Sequence, residues 1–183
     1  EGGGQTSDVG SIYSDKCKLD VVDVQKMNNT IFHKCKLVSG TLNVGDKVSS
    51  AYNEDHRKCV ASNHSSTHLL HHYLRLTLGE HVQQRGSSVT EDGFRFDFTH
   101  TKPITEKELT LIEDSIQDEI HASTNTLKNI LPFDKAIESG ALAFFEEKYA
   151  DNVRVVNIGK ESIELCGGTH VENTSEIGAI KII

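Results

Sequence analysis

The sequence predicts an α+β fold, with a small glycine-rich, β-barrel-like lead followed by an α/β core of an antiparallel sheet and helices. Three observations support this prediction. β-rich runs and glycine turns dominate residues 1–60, helical spacing appears only beyond them, and later strand-like runs cluster without alternating regularly with helices. We therefore predict two parts, a subdomain of residues 1–60 and a core of residues 61–183.

The lead contains two runs that favour strands, Leu19–Val24 and Thr30–Val38. Turn signals follow them at Ser39-Gly40 and at Asn43–Asp46. Short strands separated by glycine turns are typical of a small barrel.

Two helices are predicted in the core. The first begins near Asn63 and ends at Gly79, and its apolar residues follow helical spacing: Leu69, Leu70, Tyr73, Leu74 and Leu76. The second begins at Thr105, which forms a capping box with Glu108, and runs to about Leu131. Its predicted buried stripe is Leu109, Ile112, Ile116 and Ile120.

The remaining core segments are shorter. Phe94–Phe98 alternates strictly between aromatic and charged residues, which predicts a half-buried strand. Residues 134–150 suggest one or two short helices broken near Gly140. Three closing runs predict strands: Val153–Ile158, Ser162–Cys166 and Ile177–Ile183.

Composition excludes several classes of protein. Hydrophobic residues make up 36% and charged residues 25% of the 183 residues, and no apolar run could span a bilayer. Four cysteines without a secretory signal indicate reduced thiols rather than a disulfide scaffold. A net charge of −8 argues against coating nucleic acid through net charge alone, although a local basic groove remains compatible with it. Because the chain starts at Glu1, not Met, we expect it to be a fragment of a larger protein.

A divided cluster of metal-binding residue types points to a site. His64 and His68 lie four residues apart, so both rings project from one face of a helix. Cys166 and His170 flank Gly167-Gly168, whose flexibility lets a short loop bend toward one centre. One sulfur and three nitrogens suit Zn²⁺.

The residue types by themselves leave alternatives open. An isolated His-x3-His pair is more often not a ligand pair, and the neighbouring His71 and His72 make accidental spacing more common. Four protein ligands are also typical of a closed, structural zinc site, whereas catalytic zinc keeps one position open.

Five separate blocks are recognisable along the chain: the glycine-rich start Glu1–Gln5, Asn63–Leu70, Gln84–Ser87, Arg95–Phe98 and Leu165–His170. In this order they resemble the editing domain of alanyl-tRNA synthetases, and the resemblance covers essentially the whole chain. Related blocks occur in free-standing AlaX proteins and threonyl-tRNA synthetases. The Cys-Gly-Gly-Thr-His form at Cys166 favours the alanyl branch.

The resemblance implies an editing hydrolase that deacylates seryl- and glycyl-tRNA(Ala), with tRNA(Ala) aminoacylated at its 3′ end as partner. It also implies a parent ligase whose ATP-dependent aminoacylation and C-terminal domains are absent here, acting in the cytoplasm or in an organelle and not in a membrane. The matching positions give zinc ligands at His64, His68, Cys166 and His170. They also give catalytic roles to Thr67 and Gln84, and substrate binding to Thr67, Gly167, Gly168 and Arg95.

Other interpretations compete with these roles. The Thr67 hydroxyl could simply bond back to its own helix, and Arg95 could form an ion pair with Asp97 across strands. The whole chain could be a non-catalytic zinc-containing tRNA-binding module, or a metal-dependent hydrolase of small esters or amides.

Overall fold

The computed structural model describes residues 4–28, 30–143 and 150–183 and divides them into two compact units. Thr6–Cys59 forms the first unit. Residues 4–5 and the described residues from Val60 onward form the second.

The first unit contains a four-stranded antiparallel sheet. Its strands, in the spatial order β3-β2-β1-β4, are β1 (Gly10–Tyr13), β2 (Cys17–Met27), β3 (Thr30–Gly40) and β4 (Ser49–Tyr52). β2 and β3 contain the two predicted runs and form a long hairpin, and alternate residues at the start of β2 are buried: Cys17, Leu19 and Val21.

The predicted barrel-like lead is not confirmed, because this sheet is open in the described residues. β3 and β4 are its two edges, and no pairing joins them in this part of the chain. Closing a sheet into a barrel requires its edge strands to meet, and β1 and β4 have only four residues each. The unit thus has the predicted strand-rich composition without the predicted closure.

Helix α1 (Glu54–Leu78) starts nine residues before the predicted start at Asn63. Asn53 provides the N-terminal cap, because its side-chain oxygen accepts the His56 amide proton at 3.0 Å, and acidic residues follow in the first turn. The helix ends before Gly79, whose φ of +114° few other residues adopt. Leu76 is 62% exposed and does not belong to the buried stripe, unlike Leu69, Leu70 and Leu74.

The aromatic strand matches its predicted pattern. β5 (Gln84–Val89) and β6 (Phe94–Phe98) form an antiparallel pair, of which only β6 was predicted. Arg95 and Asp97 are exposed, while the three phenylalanines pack against the main core.

Helix α2 (Glu106–His121) has the predicted capping box between Thr105 and Glu108. It ends about ten residues before the predicted end at Leu131, because Ser123 takes a positive φ of 54° and turns the chain. The prediction of helix at Leu127–Leu131 is wrong, since Leu127–Pro132 forms strand β7 instead.

β7 pairs with β8 (Asn152–Ile158), and β8 pairs with β9 (Ser162–Leu165), in a three-stranded antiparallel sheet. The short helix α3 (Phe133–Glu138) follows β7 and ends before Gly140, as predicted. The rest of the predicted helical region includes residues 144–149, which lie outside the described residues.

The predicted strand Ile177–Ile183 is wrong. A 3-10 helix spans Thr174–Ile177, and no strand follows it in the described chain. The last residues lie along α2 instead, where the amide of Ile182 and the ammonium of Lys181 donate to Glu113 at 2.7 and 2.6 Å.

The main core lies between α1, α2 and β8. Ile112, Ile116 and Ile120 of the predicted α2 stripe are buried in it, whereas Leu109 is half-buried. A smaller apolar cluster joins Ala136 and Ala141 to the β8 residues Val153 and Val155. None of the helices in the described ranges is long and apolar enough to cross a membrane.

Candidate metal centre

Four side chains from two distant parts of the sequence meet in the second unit. His64 and His68 project from one face of α1, Cys166 follows β9, and His170 lies in the next loop. One ligand atom from each lies within 4.8 Å of the others. The Cys166 Sγ atom is 3.5 Å from His64 Nε2 and 3.2 Å from His170 Nε2. These four residues could therefore hold a metal ion.

The donor set and its spacing fit tetrahedral zinc. Zinc bonds of about 2.0–2.3 Å place tetrahedral ligand atoms about 3.3–3.7 Å apart. The two distances from Cys166 Sγ lie at or close to this range. All four ligand atoms lie within 4.8 Å of one another, so the more widely spaced pairs would contract to this range around an ion.

The other nitrogen of each histidine has a partner outside the cluster. His64 Nδ1 lies 2.7 Å from Gln5 Oε1, His68 Nδ1 lies 2.6 Å from Glu164 Oε2, and His170 Nδ1 lies 3.3 Å from Ser65 Oγ. Outer partners of this kind orient metal-binding histidines.

These partners determine where each ring carries its proton. The Gln5 oxygen can only accept, so Nδ1 of His64 must donate to it, whereas His68 Nδ1 meets the Glu164 carboxylate as a close ion pair. The Ser65 hydroxyl already donates its proton to the Ala61 carbonyl at 2.8 Å. Ser65 Oγ can therefore only accept from His170, so His170 Nδ1 must donate. All three rings consequently direct Nε2 toward the cluster.

Glu164 connects α1 to β9 through two histidines. Its second oxygen accepts from His71 Nδ1 at 2.9 Å, and the carboxylate is 5% exposed. Burial raises the pKa of Glu164, but the charge of the adjacent His68 and the hydrogen bond from His71 outweigh burial and lower the pKa to about 2. Glu164 is therefore ionised and acts as a fixed acceptor.

Cys166 and His170 are already in the protonation states that a cation needs. Burial raises the pKa of the Cys166 thiol, but its contacts with the three histidines and the charge of His68 outweigh burial and lower the pKa to about 3. Burial lowers the pKa of His170 to about 3, so this ring is neutral. Burial also lowers the pKa of His68, yet the adjacent Glu164 raises it to about 10. His68 must therefore release a proton when it binds an ion.

The loop that carries Cys166 and His170 is held from several sides. The guanidinium of Arg154 donates to the carbonyls of Cys166 and Gly168 at 3.0 and 2.6 Å. Lys128 donates to the carbonyl of His170 at 3.1 Å. These contacts reduce the loop's freedom before any ion binds.

Gly167 and Gly168 have different surroundings. Gly167 is exposed, and nothing lies within 4 Å of the position that a Cβ would take. Gly168 is buried, and a Cβ there would collide with the ring of His64 and lie 2.7 Å from Gln5 Oε1. Only glycine allows this loop to approach the ring so closely.

Thr67 lies between the two histidine ligands of α1 and is buried. Its hydroxyl donates to the carbonyl of His64 at 2.7 Å, which is the helix-bonded alternative considered above. Since the hydroxyl uses its proton there, its oxygen retains lone pairs that can accept a hydrogen bond.

Gln84 and Arg95 belong to β5 and β6 and are not members of the four-residue cluster. Gln84 is half-buried, and its amide donates to Ser87 Oγ at 2.9 Å. Arg95 Nε lies 3.1 Å from an oxygen of Asp97, so the anticipated ion pair is present, although along one strand rather than across two. The catalytic role of Gln84 and the substrate-binding role of Arg95 therefore stay predictions.

Three residues of the centre were missed from the sequence: Gln5, Ser65 and Glu164. The sequence did carry a signal for Glu164. Side chains alternate between the two faces of β9, and this places Glu164 on the buried face, two residues before Cys166. Gln5 is separated from His64 by 59 positions, and no local pattern connects them.

Comparisons with known proteins identify relatives of the chain. A family model described as threonyl and alanyl tRNA synthetase second additional domain matches residues 153–183, and one described as tRNA synthetases class II (A) matches residues 1–56. Proteins named alanine–tRNA ligase from Carboxydothermus hydrogenoformans, Listeria monocytogenes and Clostridioides difficile are 46%, 47% and 46% identical over 184 residues. Each alignment covers 100% of this chain and 21% of the relative, so the chain spans about a fifth of their length.

Proposed function

Because the chain belongs to the alanyl-tRNA synthetase family, we propose that it is the editing part of such an enzyme. In this proposal it hydrolyses the ester that links serine or glycine wrongly to tRNA(Ala) and spares the alanyl ester. The observation that carries the proposal is the convergence of His64, His68, Cys166 and His170 on one centre.

The chemical need for such an activity is general. Serine differs from alanine by one hydroxyl and glycine by one methyl, and a pocket separates such small differences by only about 1–3 kcal/mol. A second site that hydrolyses the wrong products removes the remaining errors.

We assign zinc to the four-residue centre, since one thiolate and three imidazoles match its preferences. When bound, zinc would supply a fixed positive charge that positions or polarises the aminoacyl group. The outer partners of the histidines hold the rings in place for the ion. The exposed Gly167 leaves space for the acyl group to approach the loop backbone.

Thr67 is the residue that we assign to sensing serine. Its hydroxyl donates to the His64 carbonyl, so its oxygen is left to accept the proton of a seryl hydroxyl. An alanyl group lacks that donor. The helix bond therefore orients Thr67 for the proposed role and does not compete with it.

Gln84 and Arg95 complete the proposed site. The amide of Gln84 is tied to Ser87, which fixes its direction at the start of β5. Arg95, with 71% of its side chain exposed, can offer a positive charge to tRNA phosphates. We also propose that the parent protein is cytoplasmic and that its other parts perform the ATP-dependent ligation.

The test combines metal analysis with deacylation. We expect the purified protein to contain one zinc ion per chain and to release serine and glycine, but not alanine, from charged tRNA(Ala). Cys166→Ala should lose both zinc and activity. Cys59→Ala is a matched control, because Cys59 is exposed and lies outside the cluster.

Two results would refute the proposal. One is full deacylation by a Cys166→Ala protein that still holds zinc. The other is a zinc-loaded wild-type protein that binds tRNA(Ala) without hydrolysing either wrong ester, which would favour a non-catalytic tRNA-binding module.

A further inference from the structure

We propose that Gln5 is a positioning residue of the metal centre, which fixes the proton of His64 and joins the two ligand-bearing segments. This inference rests on the proposed zinc site and goes beyond its four ligands. Gln5 lies in the second compact unit although it precedes the first unit in sequence, and it is 9% exposed.

One oxygen of Gln5 accepts three hydrogen bonds. Its donors are His64 Nδ1 at 2.7 Å, the Thr169 amide at 2.9 Å and the Thr169 hydroxyl at 3.2 Å. A backbone amide can only donate, so the atom beside it must be the side-chain oxygen and not the nitrogen. His64 then must also donate, and its Nε2 is left for the ion.

The same oxygen joins the two halves of the centre. His64 belongs to α1, whereas Thr169 lies between Gly168 and the ligand His170. Gln5 therefore bonds to one ligand directly and to the neighbour of another. A side chain that lacked the acceptor would leave His64 free to rotate or change tautomer, and it would leave the half-buried Thr169 amide without its acceptor.

The backbone around Gln5 is held against β5. Gln5 pairs with Val89 in a parallel bridge, and the Gly4 carbonyl accepts the Val89 amide proton at 3.0 Å. Gly4 has a φ of +71°, and a Cβ there would overlap the Ser87 carbonyl. Glycine at position 4 thus permits the approach that brings Gln5 to the centre.

The test measures zinc binding directly. We expect Gln5→Met, which keeps the length but removes the acceptor, to weaken zinc affinity about 10–100-fold in competition with a chromophoric chelator. Gln5→Glu retains an acceptor oxygen and should bind zinc more tightly than Gln5→Met. Gln25→Met is the control, because the Gln25 side chain is exposed, donates to Asp23 at 2.9 Å and is not part of the four-residue centre, so the affinity should stay unchanged.

A spectroscopic measurement separates positioning from general stability. In the zinc-loaded wild-type protein, the His64 Nδ1 proton should exchange slowly with solvent, and in Gln5→Met it should exchange at least about tenfold faster. The Nδ1 proton of His71, which donates to Glu164 at 2.9 Å, should stay protected in both proteins.

The outcomes distinguish this inference from the proposed function. If the wild-type protein binds no zinc, both fail. If wild type binds zinc and Gln5→Met binds it equally tightly, only the role of Gln5 is refuted. If Gln5→Met does not fold, the zinc affinity of Gln5→Glu is the deciding measurement. An affinity within about tenfold of wild type supports the acceptor role of Gln5, and a larger loss overturns it.

Discussion

Replacing Gly168 by alanine should impair the metal centre, whereas the same change at Gly167 should not. A Cβ at Gly168 would lie 2.7 Å from Gln5 Oε1 and closer still to the ring of His64, although ordinary contact begins at 3.4 Å. The loop or the ring of His64 would have to move by more than about 1 Å, and Gln5 Oε1 would still lie about 0.7 Å too close. A Cβ at Gly167 would meet nothing within 4 Å.

The expected magnitude follows from the cost of overpacking. Inserting a methyl group into a closely packed site typically costs about 1–3 kcal/mol. If that strain falls on the metal-bound geometry, zinc affinity drops about 5–150-fold, because about 1.4 kcal/mol corresponds to a factor of ten. Gly167→Ala should change the affinity by less than about twofold.

The assay is chelator competition on both variants, with thermal unfolding of the zinc-loaded proteins measured in parallel. We expect Gly168→Ala to show weaker binding and a lower unfolding temperature than Gly167→Ala. Equal zinc affinity in the two variants would show that the contact between Gly168 and His64 does not constrain the centre.

Three further changes test other parts of the structure. Glu164→Gln removes the charge that raises the pKa of His68 to about 10, so zinc binding should release fewer protons and zinc affinity should rise less steeply with pH between about 7 and 10; an unchanged pH dependence of the affinity would contradict this. Thr105→Ala removes the capping box of α2 and should lower the free energy of unfolding by about 0.5–2 kcal/mol in urea, without altering zinc stoichiometry. Ile116→Ala opens a cavity at a fully buried position and should cost about 2–5 kcal/mol in the same measurement; a loss below about 1 kcal/mol would place Ile116 outside the core.

Local patterns predicted those parts of the fold that depend on neighbouring residues. The Thr105 capping box needs only a side chain three positions away, and the strand Phe94–Phe98 needs only its own alternation. Asn53 is a residue type that favours helix N-caps, so it also indicated locally where α1 starts. The prediction placed the start later because it relied on the apolar spacing, which begins beyond Asn53.

Long-range pairing decided the parts that were predicted wrongly. Leu127–Pro132 becomes a strand because β8 lies beside it. The C-terminal run forms no strand in the described residues, and there Glu113 of α2 accepts from the Lys181 ammonium and the Ile182 amide. The sheet of the first unit stays open in the described residues because its edge strands have no mutual pairing. Intrinsic strand propensity cannot indicate which partner is available.

In the metal centre, too, some features depend on local sequence and others on long-range contacts. The sequence by itself identified the four residues that could hold an ion, because coordination chemistry depends on residue type and on spacing that a helix or a glycine loop enforces locally. Only the tertiary structure decided which atoms face the centre. The partners that orient them, Gln5 and Glu164, lie 59 and 96 positions from the histidines they hold, and hydrogen bonds act through space rather than along the chain.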